Sequence, residues 1–119
     1  MHALLVYAHP EPRSFNAALR DVAVETLEQQ GYSVEVSDLY AMGFDPVAGR
    51  GDFTEPLNPE VLNLSLEQRH AASQGTLTPV IAQQIDALLR ADLLVLQFPL
   101  WWFSMPAILK GWIDRVFIS

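Results

Sequence analysis

ALLVYAHPEPRSFNAALRDVAVETLEQQGYSVEV, residues 3–36, decides the fold. Its first six residues, Ala3 to Ala8, form an unbroken apolar run, the pattern of a strand buried on both faces of a parallel sheet. HPEPRS follows, a turn rich in proline and polar groups, with Ser14 placed as a helix N-cap. Phe15, Ala18, Leu19, Val22, Ala23 and Leu27 then fall on one helical face, and Gly31 stands where a helix-ending glycine belongs. Ser33 to Val36 alternates polar and apolar, as an edge strand does. The unit is strand–helix–strand, a crossover that is right-handed in nearly all known cases.

The same alternation returns downstream. Thr78-Pro79 has the form of a helix start, and Ile81, Ile85, Leu88 and Leu89 give that helix a buried face. DLLVLQF, 92–98, is a second long apolar run and predicts a central strand. Ser104-Met105-Pro106 opens a last helix carrying Ile108, Leu109, Trp112, Ile113 and Val116. Between the second strand and Thr78 lies a different kind of segment. Residues 38–77 hold three of the chain's eight prolines before 60 and show little periodicity, apart from a helical turn or two over 62–71. Long irregular stretches are uncommon in compact folds and are usually functional. The whole predicts a doubly wound α/β fold over 1–119, a single domain with an irregular excursion. Ligands in such folds bind beyond the carboxyl ends of the strands, so the loops to inspect are His9–Ser14 and Pro99–Ser104.

Composition narrows the partners. The chain has 119 residues, half of them hydrophobic, and a formal net charge of −7. An acidic chain repels phosphate backbones and anionic lipids, which argues against nucleic acid and membrane surfaces. With no cysteine there is no disulfide framework, thiolate metal site or cysteine nucleophile, and His2, His9 and His70 lack zinc-ligand spacing. No metal is expected. The N-terminal apolar run is too short for a signal peptide and no run spans a membrane, so the expected compartment is the cytoplasm.

Two loops carry the candidate chemistry. In HPEPRSFN, Ser14 and the first free N–H groups of the helix suit a phosphate, with His9 and Arg13 as further donors. A proline-stiffened turn with an ordinary Ser cap fits the position equally well. In PLWWFS, Trp101, Trp102 and Phe103 cannot all enter one core. At least one must face a groove or partner, and a flat aromatic floor suits a planar ring. Trp112 and Phe117 are read as core residues. Asp38, Asp45, Asp52, Glu55 and Glu60 show no acid–base pairing, and no catalytic side chain is assigned. Lys110, Asp114 and Arg115 read as a solvated helix face.

AHPEPRSFN (8–16), SDLYAMGFDPV (37–47) and above all QFPLWWFSMPAILKGWIDRVF (97–117) resemble the NAD(P)H:quinone oxidoreductases, the DT-diaphorase-like flavoproteins of flavodoxin-like fold. The resemblance covers essentially the whole chain, and the excursion is typical of the FAD-binding branch. It implies that His9, Ser14, Phe15 and Asn16 hold the flavin phosphate or pyrophosphate. Pro99, Leu100, Trp101, Trp102 and Phe103 would hold the isoalloxazine, largely through backbone groups. Trp102 and Phe103 would also wall the pocket where nicotinamide and quinone alternate, and Asn63 matches loosely a polar flavin contact. It further implies FAD, with FMN as the alternative, NAD(P)H as hydride donor, a quinone as acceptor and a homodimer. Trp101 stands where family members carry Gln, a change that a backbone contact tolerates. Family members also continue past Ser119 into another strand, a Gly-rich flavin loop, and a Tyr and a His that handle charge on the reduced flavin. The resemblance therefore implies a fold truncated after its third strand and following helix. Two alternatives stand beside the enzyme: an ancillary flavoprotein subunit of a potassium efflux system, and an inactive fragment.

Overall fold

The computed structural model describes residues 1–118. Three parallel strands lie in the order β2-β1-β3: β1 is His2–Tyr7, β2 Ser33–Asp38 and β3 Leu93–Gln97. Leu5 of β1 stands opposite Val36 on one side and Val95 on the other. The apolar run of β1 is thus buried from Ala3 onward, as a strand with neighbours on both edges must be. β2 is an edge strand, as its alternation predicts.

β3 departs from expectation. Its apolar run predicts a central strand, but among the described residues it pairs with β1 alone, and every position keeps some exposure. An apolar run reports burial on two faces and says nothing of how many edges are paired.

Four helices cover the sheet: α1 Phe15–Gln29, α2 Leu64–Gln74, α3 Pro79–Arg90 and α4 Ala107–Val116. On one face α3 and α4 enclose the larger cluster, built on Leu4, Val6, Leu39, Phe44, Leu109 and Trp112. On the other, α1 covers Leu5 and Tyr7 through Ala17, Ala23 and Val24. Two predicted faces need correction. Phe15, Ala18, Leu19 and Val22 of α1 are exposed, because the sheet takes the small residues of this helix. Leu89 of α3 is exposed as well, with Ala87 and Gln84 turned inward in its place. Trp112 is fully buried as expected, and its Nε1 donates to Gln84 Oε1 at 3.0 Å. Phe117 lies half out of the core, packing edge-on against Trp112.

The excursion is anchored. A short 3-10 turn, Arg50–Asp52, leads into a bridge between Phe53 and Leu77, and α2 fills 64–74 where only a turn or two was expected. Arg115 of α4 is not solvated: it is buried, with Nη2 2.9 Å from Asp52 Oδ1 and Nη1 donating to the carbonyl of Asp45 at 2.6 Å. Its guanidinium also lies 5.3 Å from the Phe44 ring. Lys110 and Asp114 form the expected surface pair at 2.7 Å. No described helix is long and apolar enough to cross a membrane.

Candidate functional site

The parallel order sends the chain out of β1 and β3 at the same end of the sheet, so 8–14 and 98–106 become neighbouring loops. They are tied at three points. Ala8 N–H donates to the carbonyl of Gln97 at 3.0 Å. Gln97 Nε2 donates to Asn16 Oδ1 at 2.8 Å. The His9 and Trp101 rings meet edge to face, with centroids 5.8 Å apart.

The first loop ends in a capped helix start. Ser14 has extended φ and ψ, and its Oγ accepts from Ala17 N–H at 3.0 Å. Ala18 N–H bonds to the Ser14 carbonyl, which leaves the N–H groups of Phe15 and Asn16 without a partner in the described chain. No acidic residue lies in this first turn, so the positive end of the helix dipole is unopposed there. His9 Nδ1 accepts from Glu11 N–H at 3.0 Å, so Nε2 of a neutral ring carries the proton and is a donor. Arg13 is not turned to the helix start: its guanidinium pairs with Glu11 at 2.8 Å in solvent. Its side chain and backbone N–H, with a smaller pull from His9, hold the Glu11 carboxyl below its ordinary range.

The second loop is a tight turn. Trp101 and Ser104 exchange backbone hydrogen bonds of 2.9 and 3.0 Å. The two residues between them, Trp102 and Phe103, both have left-handed backbones, φ 50° and 63°. That is the arrangement of a type I′ turn, which Asn-Gly or Gly-Gly normally occupies. Two bulky L-residues there cost about 1–2 kcal/mol each, and the turn holds both side chains 93% exposed. Backbone strain and solvated aromatic area thus coincide at this turn. Phe15, 76% exposed, and Leu100 are also solvated, while Pro99 is half-buried.

The predicted residues therefore fall into one group and one outlier. His9, Ser14, Phe15, Asn16 and Pro99–Phe103 come from the two tied loops. Asn63 is the N-cap of α2, its Oδ1 accepting from Leu66 N–H at 3.2 Å, and no hydrogen bond joins it to either loop. Sequence reasoning missed Gln97, although a polar residue ending the run LLVLQ was the available cue. A concavity of about 440 Å³ between α2 and α3 is lined by Ala71, Leu77, Ile85 and Leu89 with one carboxylate, Asp86. It lacks the converging donors that distinguish the two loops.

A family described by its flavodoxin-like fold matches residues 1–119. The chain is 54% identical over 114 residues to the ribosyldihydronicotinamide dehydrogenase [quinone] of Pongo abelii, covering 95% of this chain and 49% of that protein. It is 47% identical over 118 residues to the NAD(P)H dehydrogenase [quinone] 1 of Rattus norvegicus, with 98% and 43% covered. A crystal structure of a candidate quinone reductase from Klebsiella pneumoniae superposes with a TM-score of 0.93 at 50% identity, over 98% of this chain and 45% of that one. The chain thus spans about half the length of these relatives.

Proposed function

The chain belongs to the flavodoxin-like fold family, and on that premise we propose that it is the flavin-holding part of an NAD(P)H:quinone oxidoreductase. The observation that carries the reading is the joining of a helix start with two unpartnered N–H donors to an exposed aromatic turn at one end of the sheet. A flavin needs both: fixed donors for its phosphate and a flat apolar surface for its ring. The residues fit the group. The N–H groups of Phe15 and Asn16 face the anion, and Ser14, His9 Nε2 and Asn16 Nδ2 add side-chain donors. Pro99 to Phe103 bear the ring, with the backbone of the turn reaching its polar edge. Asn63 retains its Nδ2 as a polar flavin contact. FAD is the cofactor in this reading, and FMN the alternative.

When bound, the flavin supplies hydride acceptance and donation, while the protein supplies stacking and orientation. Trp102 and Phe103 wall the place where the dihydronicotinamide and then the quinone lie against the ring, and their apolar surface excludes water from it. No side chain is assigned a proton. Residues 1–119 act as one flavin-binding unit. The solvated patch of Phe15, Leu100, Trp102 and Phe103 is the surface on which a second copy closes the pocket, and the protein works in the cytoplasm. A second reading of the donor follows from identity: at 54% against 47%, the relative named for ribosyldihydronicotinamide is the nearer of the two. The free ribosyl form is then the preferred reductant. Neither relative's name points to an ancillary potassium-efflux role.

Kinetics test the proposal. In the flavin-loaded protein, donor and quinone alternating in one pocket should give parallel double-reciprocal lines, and Phe103→Ala should raise the quinone KM. Intersecting lines with an unaltered KM in that variant would reject it. NADH, NADPH and the ribosyl donor compared at equal concentration separate the donor readings.

A further inference from the structure

β3 ends on a polar residue where its own pattern asks for an apolar one. Leu94 and Leu96 pack into the α3–α4 cluster, and Val95 packs on the α1 side. Strand alternation turns Gln97 to the same side as Val95. There its Nε2 donates to Asn16 Oδ1 at 2.8 Å, joining residues 81 apart in the sequence. A side-chain amide has one acceptor oxygen and one NH2 group that only donates. With Oδ1 turned to Gln97, Asn16 Nδ2 lies at the opposite side of the amide, and its two protons carry no hydrogen bond in the described chain. Asn16 is the second residue of α1, beside the two backbone N–H groups that lack partners. The Phe15 and Asn16 N–H groups and Asn16 Nδ2 are all donors.

We infer that Gln97 is a positioning residue for the phosphate seat. By holding Asn16 Oδ1 it keeps the amide turned so that Nδ2 faces an anion, and the site thereby prefers a phosphate-bearing flavin to its phosphate-free counterpart. The inference rests on the flavin reading above and adds to it a residue that touches no ligand.

An orienting residue and a mere tie between strand and helix respond oppositely to two substitutions. In Gln97→Glu the carboxylate only accepts, so Asn16 must flip and donate to it. The tie survives, but Oδ1 now faces the phosphate. In Gln97→Met the tie is lost and the amide is left to turn either way. Orientation makes Glu the worse variant for a phosphate ligand; a simple tie makes Met the worse one.

The experiment titrates the 119-residue chain, 15N-labelled, with FMN and with riboflavin, which differ in the phosphate alone, reading the Phe15 and Asn16 amides and Asn16 Nδ2. A charge-assisted hydrogen bond sets the scale. On that scale the FMN-to-riboflavin affinity ratio should fall about tenfold or more in Gln97→Glu and about threefold in Gln97→Met. Riboflavin affinity should hardly move. In an Asn16→Ala background, Gln97→Glu should change the ratio little, since no amide remains to flip. An equal fall in that background would reveal a bare charge effect and overturn the inference, as would a larger fall in Met than in Glu. Ser14→Asp keeps a capping side chain and places a charge against the phosphate. If it lowers the ratio while Gln97→Glu does not, the phosphate seat stands and the role of Gln97 falls. If the parent chain does not distinguish FMN from riboflavin, or binds neither, the seat falls and the inference with it.

Discussion

The excursion between β2 and α3, with α2 inside it, and the loop pair at the carboxyl ends of β1 and β3 treat polarity in opposite ways. The excursion buries charge. Asp52 and Arg115 are 2% and 5% exposed, and Glu67, equally buried, accepts from the N–H groups of Leu57 and Asn58 at 2.7 and 2.9 Å. The loop pair exposes aromatic area on a strained backbone. Buried charges persist only when paired, so the excursion is held in place by specific partners. Exposed aromatics on a left-handed turn persist because the flanking bonds of Trp101 and Ser104 hold them there. One region is held by buried attachments, and the other presents apolar area to solvent.

Breaking the attachment should have the largest effect. Arg115→Met leaves the Asp52 carboxylate buried and unpaired, a loss of about 3–5 kcal/mol that chemical denaturation measures directly. A double Asp52→Leu/Arg115→Met variant should recover much of it, because the cost lies in the orphaned charge and not in the missing pair. Gly111→Ala tests the same attachment sterically. Its Cβ would overlap the backbone oxygen of Pro46, so α4 and the excursion must part, at about 1–3 kcal/mol.

The loop pair should respond with the opposite sign. Phe103→Gly relieves the left-handed backbone at φ 63° and should raise stability by about 1 kcal/mol, while weakening flavin and quinone binding. A variant less stable than the parent would show that the turn carries no strain. The smallest effect is a pH dependence in the excursion. The Asn58 and Leu57 N–H groups hold the Glu67 carboxyl below its ordinary 4.5. A carboxyl depressed in the native state contributes stability that is present above its unfolded value and is lost as pH falls through the native one. Proteolysis near 57–58 should therefore accelerate below about pH 4.5, and Glu67→Gln should flatten that dependence.

Local pattern alone determined the strands, the order of elements, the start of α1 at Ser14 and the place of the two loops beyond β1 and β3. Each of these depends on near neighbours in sequence: apolar runs for parallel strands, a Ser cap, and aromatics too many for one core. Tertiary structure decided the rest. The buried face of α1 went to Ala17, Ala23 and Val24 because close packing on the sheet favours small side chains over the broader Phe15–Val22 stripe. Arg115 turned inward because Asp52, 63 positions away, was there to meet it. Gln97 found Asn16 across 81 positions. Strain at Trp102 and Phe103 was invisible for a related reason: nothing in two aromatic residues announces a left-handed turn until Trp101 and Ser104 close it. Contacts between residues far apart in the chain leave no periodicity to read, and charge pairs or amide orientations exist only once the fold has brought both partners to one place.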